Sequence, residues 1–433
     1  MKKIDFIIFY EHIAREFNSV ELLHSYLSFL GFSGVVLPVH FNRYKYLLKY
    51  NPKIIVTPYY YSKYDVFDNY RKLYPNTILI NLHSEQVSCE ISSTHMLPSD
   101  EKTKNVLHCT WGKNFAKQLI DHGVDRSKIF ITGSIRNDLT YTLSKKVIAN
   151  SSTILVPTSF VWAFLDKKET SDLMTIFKEE KKVDELISFT KKSRDAFFKI
   201  IYKFSQLNEA EKIILRPHPH ISLDQYKEKF CAVNGIKELP ENITIKREGS
   251  IQENIAQCKS LIAWNSTTAL EAAMMKKKAV LLLPYTFPDF MNFDFFRYFP
   301  IADDELSLQR ELANTKDDTN VAQYIIDTYY EVDGKSHIRI GRFLVDCIQK
   351  ESTLQPVKIY WAVYFFVKYL LIDIPKNILH RLGLLGKWYP YYRGILMDCK
   401  MLDSPIEYEN TLSDNASIEY EKTNVGTFIR VYS

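Results

Sequence analysis

An arginine and two histidines interleaved with prolines, Arg216-Pro217-His218-Pro219-His220, follow the apolar run KIIL at 212–215. Proline fixes φ and lacks an N–H, so neither strand nor helix runs on through this stretch, and its side chains are held at a strand's carboxyl end. Arginine and protonated histidine make charge-assisted hydrogen bonds, so a stiff cationic edge of this kind suits a phosphate group. A second candidate is LIAWNSTTALEAA at 261–273. There an apolar strand ends at Asn265, and Ser266, Thr267 and Thr268 open a helix in which Thr268 and Glu271 have capping-box spacing. Hydroxyls and backbone N–H groups at a helix start attract an anion, aided by the helix dipole. Transfer to a hydroxyl would also need a base. Glu11, directly after the first apolar run, and Glu85, just past TILINL (77–82), are equal candidates, with His12, Glu16 and His83 at comparable strand ends. No acidic pair is placed to hold a metal, and Asp303-Asp304 reads as a polar loop.

These residues must be positioned by strands. Residues 4–10, 35–39, 53–58, 77–82, 106–111 and 128–133 are short apolar runs, with helical patterns over 16–30 and 113–122. A new set follows a polar linker at 144–152: strands over 153–159, 212–217, 242–247, 260–265 and 279–284, with a long charged helical stretch over 168–208. Alternating strands and helices predict two doubly wound parallel sheets, which bind ligands at the carboxyl ends of their strands. The expected domains are 1–145, 151–350 and a basic aromatic extension over 356–433. A helix-rich stretch at 320–349, broken near Gly334, is expected to close the second domain.

With 433 residues, 46% apolar and 25% charged, the chain is long enough for two cores and is not of disordered composition. Six scattered cysteines without a CxxC pair predict a reducing compartment, and the opening MKKIDFIIFYEH reads as a strand rather than a signal peptide. Residues 356–400 carry seven basic side chains against Asp373 and Asp398, an excess equal to the whole net charge of +5. The remainder is balanced, which excludes a general nucleic-acid binder. Within the extension, IYWAVYFFVKYLLIDI (359–374) is short for a membrane span and interrupted by charge, and ILHRLGLLGKWYPYYRGILM (378–397) mixes Leu, Trp and Tyr with basic residues. The extension is therefore expected to lie on a membrane surface, the alternative being a helix folded back on the core. The polar stretch 402–433 is expected to hold a short strand, GTFIRVY.

Taken together, RPHPH after one strand and a Ser/Thr-rich helix start after a later one resemble bacterial surface-polysaccharide transferases of the GT-B type. That set includes Kdo transferases, polysialyltransferases and CDP-glycerol glycerophosphotransferases. Gly133-Ser134-Ile135-Arg136-Asn137-Asp138 is similar to their GxxRxD turn, and Asp333-Gly334-Lys335-Ser336 with Arg339-Ile340 to their closing DGxxxxRI. Glu11, Arg15 and Glu16, followed by Leu22 and Leu23, resemble the ExxxRE opening of surface carbohydrate biosynthesis proteins. The resemblance implies a two-domain GT-B fold with a central cleft and a helical extension, and inverting, metal-independent glycosyl transfer without a cofactor. It implies a cytidine-activated donor such as a CMP-nonulosonate or CMP-Kdo-type sugar, and a lipid-linked or oligosaccharide acceptor at the inner face of the plasma membrane. Arg136, Arg216, His218, His220, Asn265, Ser266, Thr267 and Thr268 would bind the donor, with His218 also counted as catalytic. A CDP-alditol phosphotransferase, an NDP-sugar 2-epimerase and a non-catalytic membrane assembly factor are the alternatives.

Overall fold

The structure is a computed structural model. It describes residues 1–11, 13–62, 67–90, 96–145, 151–166, 170–171, 180–314, 319–350, 357–384, 417–423 and 426–432. The chain divides into two compact units: Met1–Gln86 with Ser93–Leu139 and Asp327–Ser433, and Val87–Ser92 with Thr140–Ile326. Helices α1 (Asn18–Phe29), α2 (Arg43–Lys49), α3 (Lys113–Asp121) and α4 (Ile135–Ser144) follow strands of the first set. Helices α5 (Glu180–Leu207) and α6 (Thr268–Met274) follow strands of the second. Then come α7 (Ser336–Lys350), α8 (Ile359–Lys368) and α9 (Ile374–Arg381).

The first unit is built on six parallel strands in the order β2-β1-β3-β4-β5-β6. They are β1 (Lys2–Tyr10), β2 (Gly34–Pro38), β3 (Tyr50–Thr57), β4 (Ile78–Asn81), β5 (Leu107–Thr110) and β6 (Ile129–Ile131). The near-continuous apolar run of β1 is needed because both faces are covered. Phe6 and Ile8 join one core cluster with Leu23 and Leu27 of α1, while Ile7 and Phe9 join another on the opposite face with Leu47 and Tyr70.

The second unit holds β7 (Thr153–Thr158), β8 (Lys212–Pro217), β9 (Ile243–Ile245), β10 (Ser260–Ala263), β11 (Lys278–Leu282) and β12 (Ile301–Ala302). Their order is β12-β11-β10-β7-β8-β9, all parallel. This is the dinucleotide-fold order, and the direction of winding reverses between β7 and β10. The charged stretch before β8 is not wholly exposed. From Glu180 it is one helix of 28 residues whose Val183, Phe197, Phe198 and Ile201 are fully buried. The expected linker lies partly outside the described residues, as do most of residues 168–179.

One boundary is corrected. From Asp327 onward the stretch expected to close the second domain returns to the first unit, where Ile340, Leu344, Cys347 and Ile348 of α7 complete the cluster around Phe6 and Leu23. Gly341 permits that approach, since a Cβ there would lie 2.4 Å from the Tyr26 ring of α1. The extension also belongs to the first unit, with Phe365 of α8 fully buried in its second cluster. Most of the chain beyond α9 lies outside the described residues. GTFIRVY forms β14 (Gly426–Tyr432), antiparallel to β13 (Ser417–Thr423). Among the described residues no helix is long and apolar enough to cross a membrane.

Candidate functional site

In the second unit, three adjacent strands end side by side. Pro217 at the end of β8 is in register with Thr158 at the end of β7, and Thr158 bridges Trp264 just past β10. Neighbouring strands lie ~4.8 Å apart, so the RPHPH turn and the Asn265 turn flank Thr158 and Ser159 at a separation of about 10 Å. The sequence thus brings its two strongest motifs to either side of one strand end, at the point where the sheet's winding reverses.

Each motif residue has a distinct place. His218 is half-buried, and its Nδ1 accepts the N–H of His220 at 3.3 Å. A neutral ring held that way carries its proton on Nε2, which is then a donor. His220 is exposed, its ring edge-on to His218 with centroids 4.9 Å apart. Arg216, expected on a phosphate, instead brackets the neighbouring loop. Its guanidinium donates to the Glu248 and Gly249 carbonyls at 3.0 and 2.8 Å and to Asn254 Oδ1 at 3.1 Å. Burial, then the nearby Arg247, pulls its pKa down to about 10. Arg247 in turn donates to the Pro219 and Ile221 carbonyls, so two arginines set the shape of the turn that carries His218.

On the other side, Asn265 adopts the left-handed conformation with φ 46°, which turns the chain sharply out of β10. Ser159 Oγ lies 3.1 and 2.6 Å from the carbonyl oxygens of Trp264 and Asn265, tying this turn to the end of β7. Ser266 and Thr268 share a hydroxyl contact of 2.8 Å, and Thr267 is the N-cap of α6 without a side-chain cap. The capping box expected from Thr268 and Glu271 does not form. Glu271 is buried and accepts from Gln252 Nε2 at 3.1 Å, because its position on α6 faces the core. The hydroxyls of the turn therefore serve the turn itself rather than the helix cap. Phe164, behind this site, stacks on Tyr226 with centroids 6.0 Å apart and belongs to the core packing.

In the first unit, Glu11 follows β1 and His40 follows β2, on adjacent strands. His40 Nε2 lies 3.1 Å from Glu11 Oε1. Arg15 binds Glu16 at 2.6 Å and stands 3.9 Å from Glu11 and 3.7 Å from Glu85. Burial works against its charge, but Glu16, Glu85 and Glu11 together outweigh that, and the net shift is upward. Both base candidates therefore converge on one guanidinium, and Glu11 meets a histidine as well. A cavity of about 50 Å³ opens beside them, lined by Arg15, Glu16, Ser84, Ser134 and Arg136. His12 lies outside the described residues. His83 is fully buried with its Nε2 2.8 Å from His108 Nδ1, so it is closed to a substrate.

The GSIRND and DGKSHIRI motifs meet each other. Asp138 accepts the N–H groups of Ser336 and His337 at 3.0 and 2.8 Å, and stands 2.9 Å from His337 Nδ1. Arg339 donates to the Thr132 carbonyl at 2.8 Å and forks onto Asp333 at 2.9 and 3.1 Å. Gly133, with φ 81°, sits where a Cβ would be 2.6 Å from Ser336 Oγ. Apart from Arg136 on the cavity wall, these motifs form a clasp that fastens α7 to the first unit. Sequence reasoning missed His40 and Ser159, which the strand-end rule would have found after VVLPV and TILVPT.

No protein-family model matches the chain, and no curated protein matches it in sequence. Solved structures do match. A putative UDP-N-acetylglucosamine 2-epimerase from Listeria monocytogenes aligns over 81% of this chain and 98% of its own, at 12% identity and TM-score 0.52. The wall teichoic acid polymerase TagF aligns over 80% and 89%, at 13% identity and TM-score 0.51. The S. aureus MnaA–UDP structure aligns over 82% and 99%, at 11% identity and TM-score 0.51. The chain has the two-domain α/β GT-B fold.

Proposed function

We propose that this protein is an inverting GT-B glycosyltransferase of bacterial surface polysaccharide synthesis that uses a cytidine-activated sugar donor. One observation carries the reading: His218, Ser159 and the Asn265–Thr268 turn gather at three adjacent strand ends beside the winding reversal of the second sheet. That is where an α/β sheet of this order binds a nucleotide. In this reading the donor phosphate lies between His218 and the hydroxyls of Ser266 and Thr267. The bond between the anomeric carbon and the phosphate oxygen breaks, and the negative charge that develops on the departing nucleotide is met by His218 Nε2–H and the turn. Glu11, held by His40 and Arg15, takes the proton of the acceptor hydroxyl as its oxygen attacks the anomeric carbon.

Thermal stabilisation by CMP, CDP, UDP and GDP tests the donor, since a ligand that binds only the folded state raises its apparent stability. A shift with CMP or CDP and none with UDP supports the reading. The fold shared with a UDP-N-acetylglucosamine 2-epimerase, and with a protein solved with UDP, favours one second reading, a UDP-sugar 2-epimerase. A shift with UDP alone would overturn the cytidine-donor reading and leave a UDP-sugar enzyme, either the epimerase or a UDP-sugar transferase. In either case His218→Ala should abolish the shift while leaving the unliganded melting temperature near that of the wild type.

A further inference from the structure

The extension is attached to the first unit along one stripe and leaves the opposite one bare. Helices α8 and α9 are joined by a π-helical turn, Tyr369–Asp373, making 23 consecutive helical residues over 359–381. Trp361, Phe365, Tyr369 and Ile372 pack inward against the core under α2. Asp373 is also turned inward, almost fully buried, and accepts the N–H groups of Tyr44 and Lys45 at 2.9 and 3.0 Å. It thereby satisfies the first turn of α2, whose own N-cap, Asn42, makes no side-chain cap. Lys376 donates to the carbonyl of His40. The segment is therefore latched at two points to the chain that follows β2, beside the Glu11–His40 pair.

On the outer stripe the exposed side chains are large and apolar. Ile359 is 77% exposed, Tyr360 64%, Val363 60%, Phe366 52%, Leu371 68% and Leu382 64%. Six large apolar side chains, each half or more exposed, make a patch of several hundred Å², as large as or larger than the largest on a typical monomer. Among the described residues of the segment and of α2, the exposed charges have one sign. Lys358, Lys368 and Arg381 lie on the segment, and exposed Lys45 and Lys49 lie on the adjoining α2. Asp373, the only acid in residues 357–384, is buried. A protein partner would be expected to require carboxylates of its own in a matching pattern. A bilayer of anionic phospholipid meets an apolar stripe flanked by lysines without any such pattern.

We propose that α8, the π-helical turn and α9 form an in-plane anchor that seats the first unit on an anionic phospholipid surface. The Asp373 and Lys376 latches then hold the loop after β2, and with it the Glu11–His40 pair, at that surface. Flotation of the full chain with vesicles tests this, using phosphatidylcholine alone and phosphatidylcholine mixed with phosphatidylglycerol. The expected result is binding to the mixed vesicles about tenfold stronger than to the neutral ones. The double variant Val363→Glu/Leu371→Glu replaces two exposed side chains outside the core. It should lose binding at least about tenfold while its melting temperature and nucleotide-induced shift stay those of the wild type. Failure of the wild type to float with either vesicle, or equal flotation of the variant, would overturn the proposal. So would light scattering that shows a dimer made monomeric by the same two substitutions without any vesicle binding, which would assign the stripe to a second copy of the chain. None of these outcomes depends on which nucleotide the second unit binds.

Discussion

With His40 Nε2 3.1 Å from Glu11 Oε1, the two side chains are expected to act as a unit. With Glu11 as the base proposed above, Glu11→Gln should lower kcat by about 10²–10³-fold with little change in donor KM, because proton transfer would be lost while donor binding would not. His40→Asn should fall in the same direction, and the double variant should cost little more than Glu11→Gln alone. Glu85 stands 3.7 Å from Arg15, and Glu85→Gln should cost less than about tenfold, roughly the effect of one partly exposed ion pair. Steady-state kinetics at saturating donor distinguish the cases, and a Glu85 variant more damaged than the Glu11 variant would reverse the assignment. Arg216 makes the opposite point about reading a motif. Its position beside two histidines suggests a ligand contact, yet its three hydrogen bonds go to Glu248, Gly249 and Asn254. Arg216→Gln should therefore lower stability and loosen the His218 turn indirectly, raising donor KM more than it lowers kcat.

At the scale of elements, the clasp between the α4 start and α7 concentrates the energetics of the chain's return to the first unit. Asp138 is 3% exposed and receives two backbone N–H groups. Asp138→Ala should cost about 3 kcal/mol, from the loss of charge-assisted bonds and the donors left unpaired. Gly133→Ala forces a side chain into a left-handed position against Ser336 and should cost about 2 kcal/mol. Urea unfolding of both variants checks these values; a loss below about 0.5 kcal/mol in each would mean that α7 is held by its apolar face alone. This clasp also marks the limit of what the sequence reveals. The two-residue edge strand β12 (Ile301–Ala302) is too short to show a pattern. Every other strand of the two sheets is legible, because a strand covered on both faces is a near-continuous apolar run, as β1 and β10 are. The destination of α7 is not, since its apolar spacing (Ile340, Leu344, Cys347, Ile348) would fit either core. The contacts that decide it join residues some two hundred positions apart, Asp138 with His337 among them. The strand-end motifs were legible for the same reason as the strands, while the roles of Arg216 and Glu271 were not, because spacing does not say which way a side chain turns.

For the molecule as a whole, the buried pair His83 and His108 predicts how stability depends on pH. The rings stack with centroids 5.1 Å apart, and Nε2 of one meets Nδ1 of the other at 2.8 Å, so one ring donates and the other accepts. Burial, and then His108, hold His83 well below its ordinary pKa of 6.5. Burial brings His108 down to about 4, although the backbone of Thr103 and Lys104 favours its charged form. Burial lowers His24 as well. In each case the folded state binds fewer protons than the unfolded chain between the two pKa values, so stability rises with pH there. The contribution is complete above about pH 6.5 and is lost as the pH falls towards about 4. For His108 the full difference is on the order of 3 kcal/mol, of which about 2 kcal/mol should disappear between roughly pH 7.5 and pH 5. Urea unfolding at those two values, for the wild type and for His83→Gln/His108→Gln, measures it. The variant starts from lower stability, so the readout is the change with pH: the wild type should lose at least about 2 kcal/mol more than the variant over this interval. Equal losses would mean that the pair is not held neutral by the fold, and that the acid sensitivity arises from His24 and the carboxylates instead.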